Sequence, residues 1–188
     1  MASFGAQYPC FAKIKAETTT ALPTYESGVV LGKLVKADLT VNLSSGELYA
    51  DDGLAETASE FVSGSLAMET DDLTDEVAAV LYGATEDETD GLGYKGDDAQ
   101  PYGGLGYFKV LMRNGVKVYK TYFYPKAKAA LGNDSAATKA GSVTFGTTAT
   151  TFTIVQPEFG AWRYTKEFPS RAEAKAYLDG KLLATAGA

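Results

Sequence analysis

The stretch LGYFKVLMRNGVKVYKTYFY, Leu105 to Tyr124, decides the reading of the fold. Two runs of alternating apolar and polar residues flank Asn114-Gly115, the dipeptide that best supplies the two positive φ angles of a type I′ turn, so the stretch is a β-hairpin. On its second strand Val116, Val118, Tyr122 and Tyr124 point one way, while Lys117, Tyr119, Thr121 and Phe123 point the other. Neither face is purely polar. Such a hairpin is to be covered twice, by its own domain and by a neighbour, although burial wholly inside the domain would give the same pattern.

Outward from the hairpin, strand signals fall at Tyr8–Lys15, Val29–Leu43, Glu47–Ala50 and Glu60–Glu69, and beyond it at Val143–Val155 and Trp162–Phe168. Two helices interrupt them. Asp72 or Thr74 can cap the first, Asp75 and Glu76 suit its N-terminal dipole, Val77, Val80 and Leu81 recur at helical spacing, and Gly83 stops it. Ser170 and Glu173 form a capping-box spacing ahead of the second, about residues 170–184, whose Ala174, Tyr177, Leu178 and Leu182 can dock on a sheet. Residues 85–104, rich in Gly, Asp and Glu, read as an exposed loop, and residues 1–7 as a short arm. No repeat or interdomain linker interrupts the chain, so one mainly β domain over residues 1–188 is expected, with one or two flanking helices.

Composition limits the chemistry. The 188 residues include no His and a single Cys, Cys10. Ser-His-Asp and Cys-His nucleophile systems and His-ligated zinc therefore lack a component, and no internal disulfide can form. No segment approaches the roughly 20 apolar residues of a membrane span, and no signal-peptide pattern opens the chain, so synthesis in the cytoplasm and no membrane partner are expected. The net charge of −7 argues against tight phosphate binding. That charge is divided: residues 1–100 carry 19 acids against 5 bases, and residues 101–188 carry 5 against 12. A chain so polarised suits contact with copies of itself.

Candidate sites are few. Gly91, Gly93 and Gly96 match G-x-G-x-x-G, but acidic loop precedes them and Asp97-Asp98 follows, where phosphates would sit. Glu86, Glu88, Asp90 and Asp97 fall at positions 1, 3, 5 and 12 of an EF-hand-like loop, with Gly91 at position 6. The loop departs from that pattern through Glu at its first position and Asp at its last, so metal binding there is a weak candidate. The acid pairs Asp51-Asp52, Asp71-Asp72 and Asp97-Asp98 read as turn formers and caps before a hydrolytic pair. No catalytic residue and no cofactor is expected. The tyrosines from Tyr102 to Tyr124, with Trp162, could form a sugar-stacking platform, which gives an alternative function as a carbohydrate-binding β module.

Ordered blocks of the sequence resemble one family. They are YPCFAKI at Tyr8–Ile14, ALPTYESGVVLGKLVKADLTVN at Ala21–Asn42, ELYADDGLAE at Glu47–Glu56, FVSGSLAMETDDLTDEVAAVLYG at Phe61–Gly83, PYGGLGYFKV at Pro101–Val110 and NGVKVYKTYFYPKAKA at Asn114–Ala129. The chain resembles the major tail protein, or tail tube protein, of long-tailed non-contractile bacteriophages of Gram-positive bacteria; the part after about Gln156 resembles it least. The resemblance implies a twisted β-sandwich or barrel, hexameric rings stacked into a tube that conducts DNA without specific binding, and a place in the virion tail. It also implies tape measure and tail terminator proteins as partners. Val116, Val118, Tyr122, Tyr124, Asp51 and Asp52 are the candidate self-assembly residues.

Overall fold

The computed structural model describes residues 2–50, 53–87, 89–132 and 146–183. Among them nine strands join one antiparallel sheet: β1 (Ala2–Ala16), β2 (Thr24–Tyr25), β3 (Val29–Val30), β4 (Leu34–Ala50), β5 (Gly53–Thr70), β8 (Tyr102–Arg113), β9 (Val116–Ala130), β10 (Thr148–Ile154) and β11 (Tyr164–Phe168). Helix α1 (Asp75–Tyr82) and a small ribbon, β6 (Thr85–Asp87) with β7 (Gly91–Gly93), lie between β5 and β8, and α2 (Arg171–Leu178) follows β11. The ladder runs β2-β1-β8-β9-β10-β5-β4, with β3 added to β1 and β11 added to β9. It does not close into a barrel, although β4 returns close to β1 without pairing to it. The result is a mainly β, sandwich-like fold with flanking helices.

The hairpin centres this sheet. Asn114 and Gly115 take φ of 51° and 81°, as the turn requires, and Leu105↔Tyr124 to Arg113↔Val116 set the register. Away from the turn, each of its faces is covered by the chain itself. Leu105, Tyr107 and Tyr124 join Phe11, Leu66, Met68, Phe152 and Ile154 in the main core, which α1 completes through Val77, Ala78, Leu81 and Tyr82. Phe108 and Phe123 face the opposite way, into a second core closed by Ala174 and Leu178 of α2 and by Leu182 of the π-helical turn Asp179–Leu183. Both caps form where the sequence places them: the Thr74 and Ser170 hydroxyls accept from the N–H groups of Val77 and Glu173, and Gly83 ends α1 at φ 72°.

Four expectations about elements need correction. Residues 2–7 are no free arm, since Ala2 to Gln7 pair with Met112 to Phe108. The expected strand Val29–Leu43 is cut after Val30, where Gly32 takes φ 111° and Asp71 Oδ1 accepts from the Lys33 N–H at 2.7 Å. Beyond the cut, Leu34–Ala50 is one strand and absorbs Glu47–Ala50. The loop expected over 85–104 holds the β6–β7 ribbon, and its last two residues, Gly103 and Gly104, are buried in β8. There, a Cβ on Gly103 would stand 2.4 Å from the Ala12 carbonyl oxygen, and one on Gly104 would stand 2.5 Å from Leu182 Cδ2. Glycine at these positions admits close neighbours and does not loosen the chain.

Candidate assembly surfaces

Strands β4 and β5 pair along their whole described length, from Leu34↔Thr70 to Ala50↔Gly53, but β10 reaches β5 only over Gly64–Thr70. The outer half, residues 42–50 and 53–63, is thus a two-stranded ribbon whose edges have no ladder partner among the described residues. Such a ribbon is marginal in water without cover. It bears exposed apolar side chains, with Leu43 at 59% and Val62 at 57%. Glu47, Glu56 and Glu60 are also exposed on it, and no Lys or Arg occurs between Lys36 and Lys95. Its base is held where Phe61 stacks on Trp162, ring centroids 4.2 Å apart and 2° from parallel.

The second surface is the turn end of the β8–β9 hairpin with β11. Lys109 and Lys120 stand directly opposite each other across the strands, and Arg113 lies one pair from the turn. Glu167 on β11 accepts from Arg113 at 2.9 and 3.0 Å and sits 4.0 Å from Lys120. The Arg113 hydrogen bonds hold the Glu167 carboxyl below its ordinary value. The Lys109 ammonium lies over the rings of Tyr107 and Tyr122, at 5.9 and 5.5 Å. Val116 beside them is 64% exposed.

The candidate residues separate by depth. Val116 is exposed, Val118 and Tyr122 are half-buried, and Tyr124 is 0% exposed in the main core. Tyr124, a candidate assembly residue, is thus a core residue of its own subunit; alternation gives the face of a strand but not its depth. Asp51 and Asp52 lie outside the described residues. Burial pushes the Tyr107 and Tyr124 hydroxyls up, so both stay protonated and neutral in the core.

The tyrosines do not gather on one exposed plane. Tyr107 and Tyr124 are buried and Tyr122 is half-buried, whereas Tyr102 is exposed elsewhere, between Lys126 and Lys128. Of the EF-hand-like set, Glu88 and the Glu86 side chain lie outside the described residues, while Asp90 and Asp97 are exposed. Asp87, absent from that set, makes the turn by accepting from the N–H groups of Thr89 and Asp90. Among the described residues no three acids or thiols converge to hold a metal. Gly91 and Gly93 lie in β7, and β8 rather than a helix follows Gly96. An open cavity of about 560 Å³ between α1 and β10 is lined by Asp72, Leu73, Tyr82, Tyr94 and Thr148, but Asp72 Oδ1 is occupied by the Leu73 N–H. No described helix is long and apolar enough to cross a membrane. No family model and no curated protein matches the chain.

Proposed function

We propose that the protein is a structural subunit that associates with copies of itself, and that its assembled form is the tail tube of a long-tailed, non-contractile bacteriophage, built from stacked hexameric rings around a DNA conduit. The observation that carries the reading is the ribbon of residues 42–50 and 53–63, paired only with itself among the described residues, exposing Leu43 and Val62, and lying in a stretch of sequence that has acids and no base. Uncovered strand edges with apolar side chains recruit another chain. The division of charge supports the same reading, because acidic and basic regions on one surface favour head-to-tail contacts, which close into rings or stack. The block resemblance supplies the tube and the virion as its setting, with tape measure and terminator proteins as the partners at its ends.

Negative-stain microscopy of the concentrated protein tests this, alongside sedimentation velocity across a concentration series. Rings or tubes of uniform diameter are expected. A protein that stays a monomer at every concentration refutes the reading, and binding of glycans by that monomer would establish the carbohydrate-binding alternative.

A further inference from the structure

We infer that the acidic ribbon of one copy docks on the hairpin face of the next, through Val62, Glu60 and Glu56 against Val116, Lys120 and Lys109. The inference rests on the self-association proposed above and identifies the two patches that meet. Glu60 and Glu56 fall at alternate positions along β5 between its register shifts, so they share a face, and Val62 sits in the bulge where the pairing steps from Asn42↔Ser63 to Leu43↔Phe61; all three are exposed on the ribbon. Val116 and Lys120 share a face of β9, and Lys109 stands opposite Lys120 on β8. Each patch therefore has an apolar residue and two like charges, and the signs are opposite.

Each patch is also incomplete within its own subunit. Like charges placed directly across neighbouring strands repel, and Glu167, already bonded to Arg113, is the acid that approaches Lys120. The ribbon presents acids in a segment without a single base. A second copy supplies a carboxylate for Lys109, which lies over ring faces, a further one for Lys120 beside the Glu167 it shares with Arg113, and an apolar partner for Val116 and Val62. The two patches differ, so the contact is heterologous and repeats from subunit to subunit.

Charge exchange provides the test. The variant E56K/E60K makes both patches of a subunit cationic, and K109E/K120E makes both anionic. Each alone is expected to weaken self-association about 10-fold or more, while an equimolar mixture restores it, because each ribbon then meets a face of opposite sign. The quadruple variant E56K/E60K/K109E/K120E also associates alone. Sedimentation velocity at low and high sodium chloride reads the constants, and a thermal melt of each variant confirms that it is folded. Because Lys109 covers two tyrosine rings, E56K/E60K on the exposed ribbon is the decisive variant. If the parent associates and E56K/E60K associates equally well, the docking contact is refuted while self-association stands. If the parent never associates, both fall together.

Discussion

Replacing Gly106 by Ala, alone and together with Leu178→Ala, tests how α2 is seated on the sheet. A Cβ at Gly106 would stand 2.8 Å from Leu178 Cδ2, 3.2 Å from Leu182 Cδ1 and 3.5 Å from Cys10 Sγ, so the glycine is the hole into which the helix leucines fit. The two leucine contacts are the far ends of flexible side chains, which can give way. Overpacking of this kind costs roughly 1–3 kcal/mol, and removing a strand glycine returns about 0.5–1 kcal/mol, which leaves G106A destabilised by about 1 kcal/mol. Leu178 is fully buried, and truncating such a leucine to Ala costs about 3 kcal/mol. Independent effects would add to about 4 kcal/mol. In the double variant, however, the new methyl occupies space that the leucine has left, so its closest clash disappears, only the 3.2 Å approach to Leu182 remains, and part of the cavity is filled. The expected total is about 2 kcal/mol, a coupling of about 2 kcal/mol in the stabilising direction. Trp162 is the only Trp in the chain and stacks on Phe61, so its fluorescence during urea unfolding reports the transition. For a domain of this size each 1 kcal/mol also moves the melting temperature by about 2–4 °C. Additivity within about 0.5 kcal/mol would refute the seating of Leu178 over Gly106.

Further outcomes follow from single contacts. Ser170→Ala removes the hydroxyl that accepts from the Glu173 N–H at 3.2 Å and should cost about 1 kcal/mol in the same urea assay, with Ser170→Asp retaining most of it. Gly83→Ala forces a side chain into φ 72° with its Cβ 2.7 Å from the Ala99 carbonyl oxygen, so it should lower the melting temperature more than Gly46→Ala, whose Cβ meets nothing within 4 Å. Burial raises the Glu17 carboxyl, but hydrogen bonds from Lys126 at 2.6 Å and the Glu158 N–H at 2.9 Å outweigh it and hold the group below its ordinary 4.5. Its stabilising share is therefore present above about pH 4.5 and lost as the pH falls through the lower folded value, and Glu17→Gln should flatten that acid limb in urea titrations at successive pH. Cys10, fully buried with its thiol pushed up by burial and by Asp179, should resist a disulfide reagent in the native state, react once per chain in guanidinium, and react faster in Leu178→Ala.

Local signals located the elements whose cause is itself local. Asn114-Gly115 determines its turn, Thr74 and Gly83 bound α1, and Ser170 with Glu173 opens α2, because each depends on φ angles or hydrogen bonds within a few residues. Local signals mislead where distant residues decide. Gly103 and Gly104 read as loop glycines because composition cannot reveal Ala12 and Leu182 pressing on them. Val29–Leu43 read as continuous because the break at Gly32 is fixed by Asp71, 38 residues from Lys33 in sequence. The hairpin faces are legible from alternation, but the depth of Tyr124 is not, because its cover includes Trp162, far away in the chain. Of the assembly surfaces, the charge division is legible in the sequence. The length of the uncovered ribbon is not, since it depends on where β10 stops pairing with β5.

The pairing of β1 with β8 has a consequence for how the protein is made. Gln7 pairs with Phe108 and Lys13 with Gly103, so β1 leaves the ribosome about ninety to a hundred residues ahead of its partner β8, with only the short strands β2 and β3 to pair with in the meantime. By then β4 and β5, joined by a short connection, have already found each other. Synthesis proceeds at about 5–20 residues per second, which leaves Phe11 and its neighbours without their native cover for several seconds, far longer than a hairpin needs to zip. During that interval the nascent chain holds a finished ribbon and a strand whose β8 edge stays open, and open strand edges pair with wrong neighbours on a crowded polysome. Slower elongation lengthens the exposure, so soluble yield should depend on translation speed and chaperone supply as well as on the stability of the finished fold.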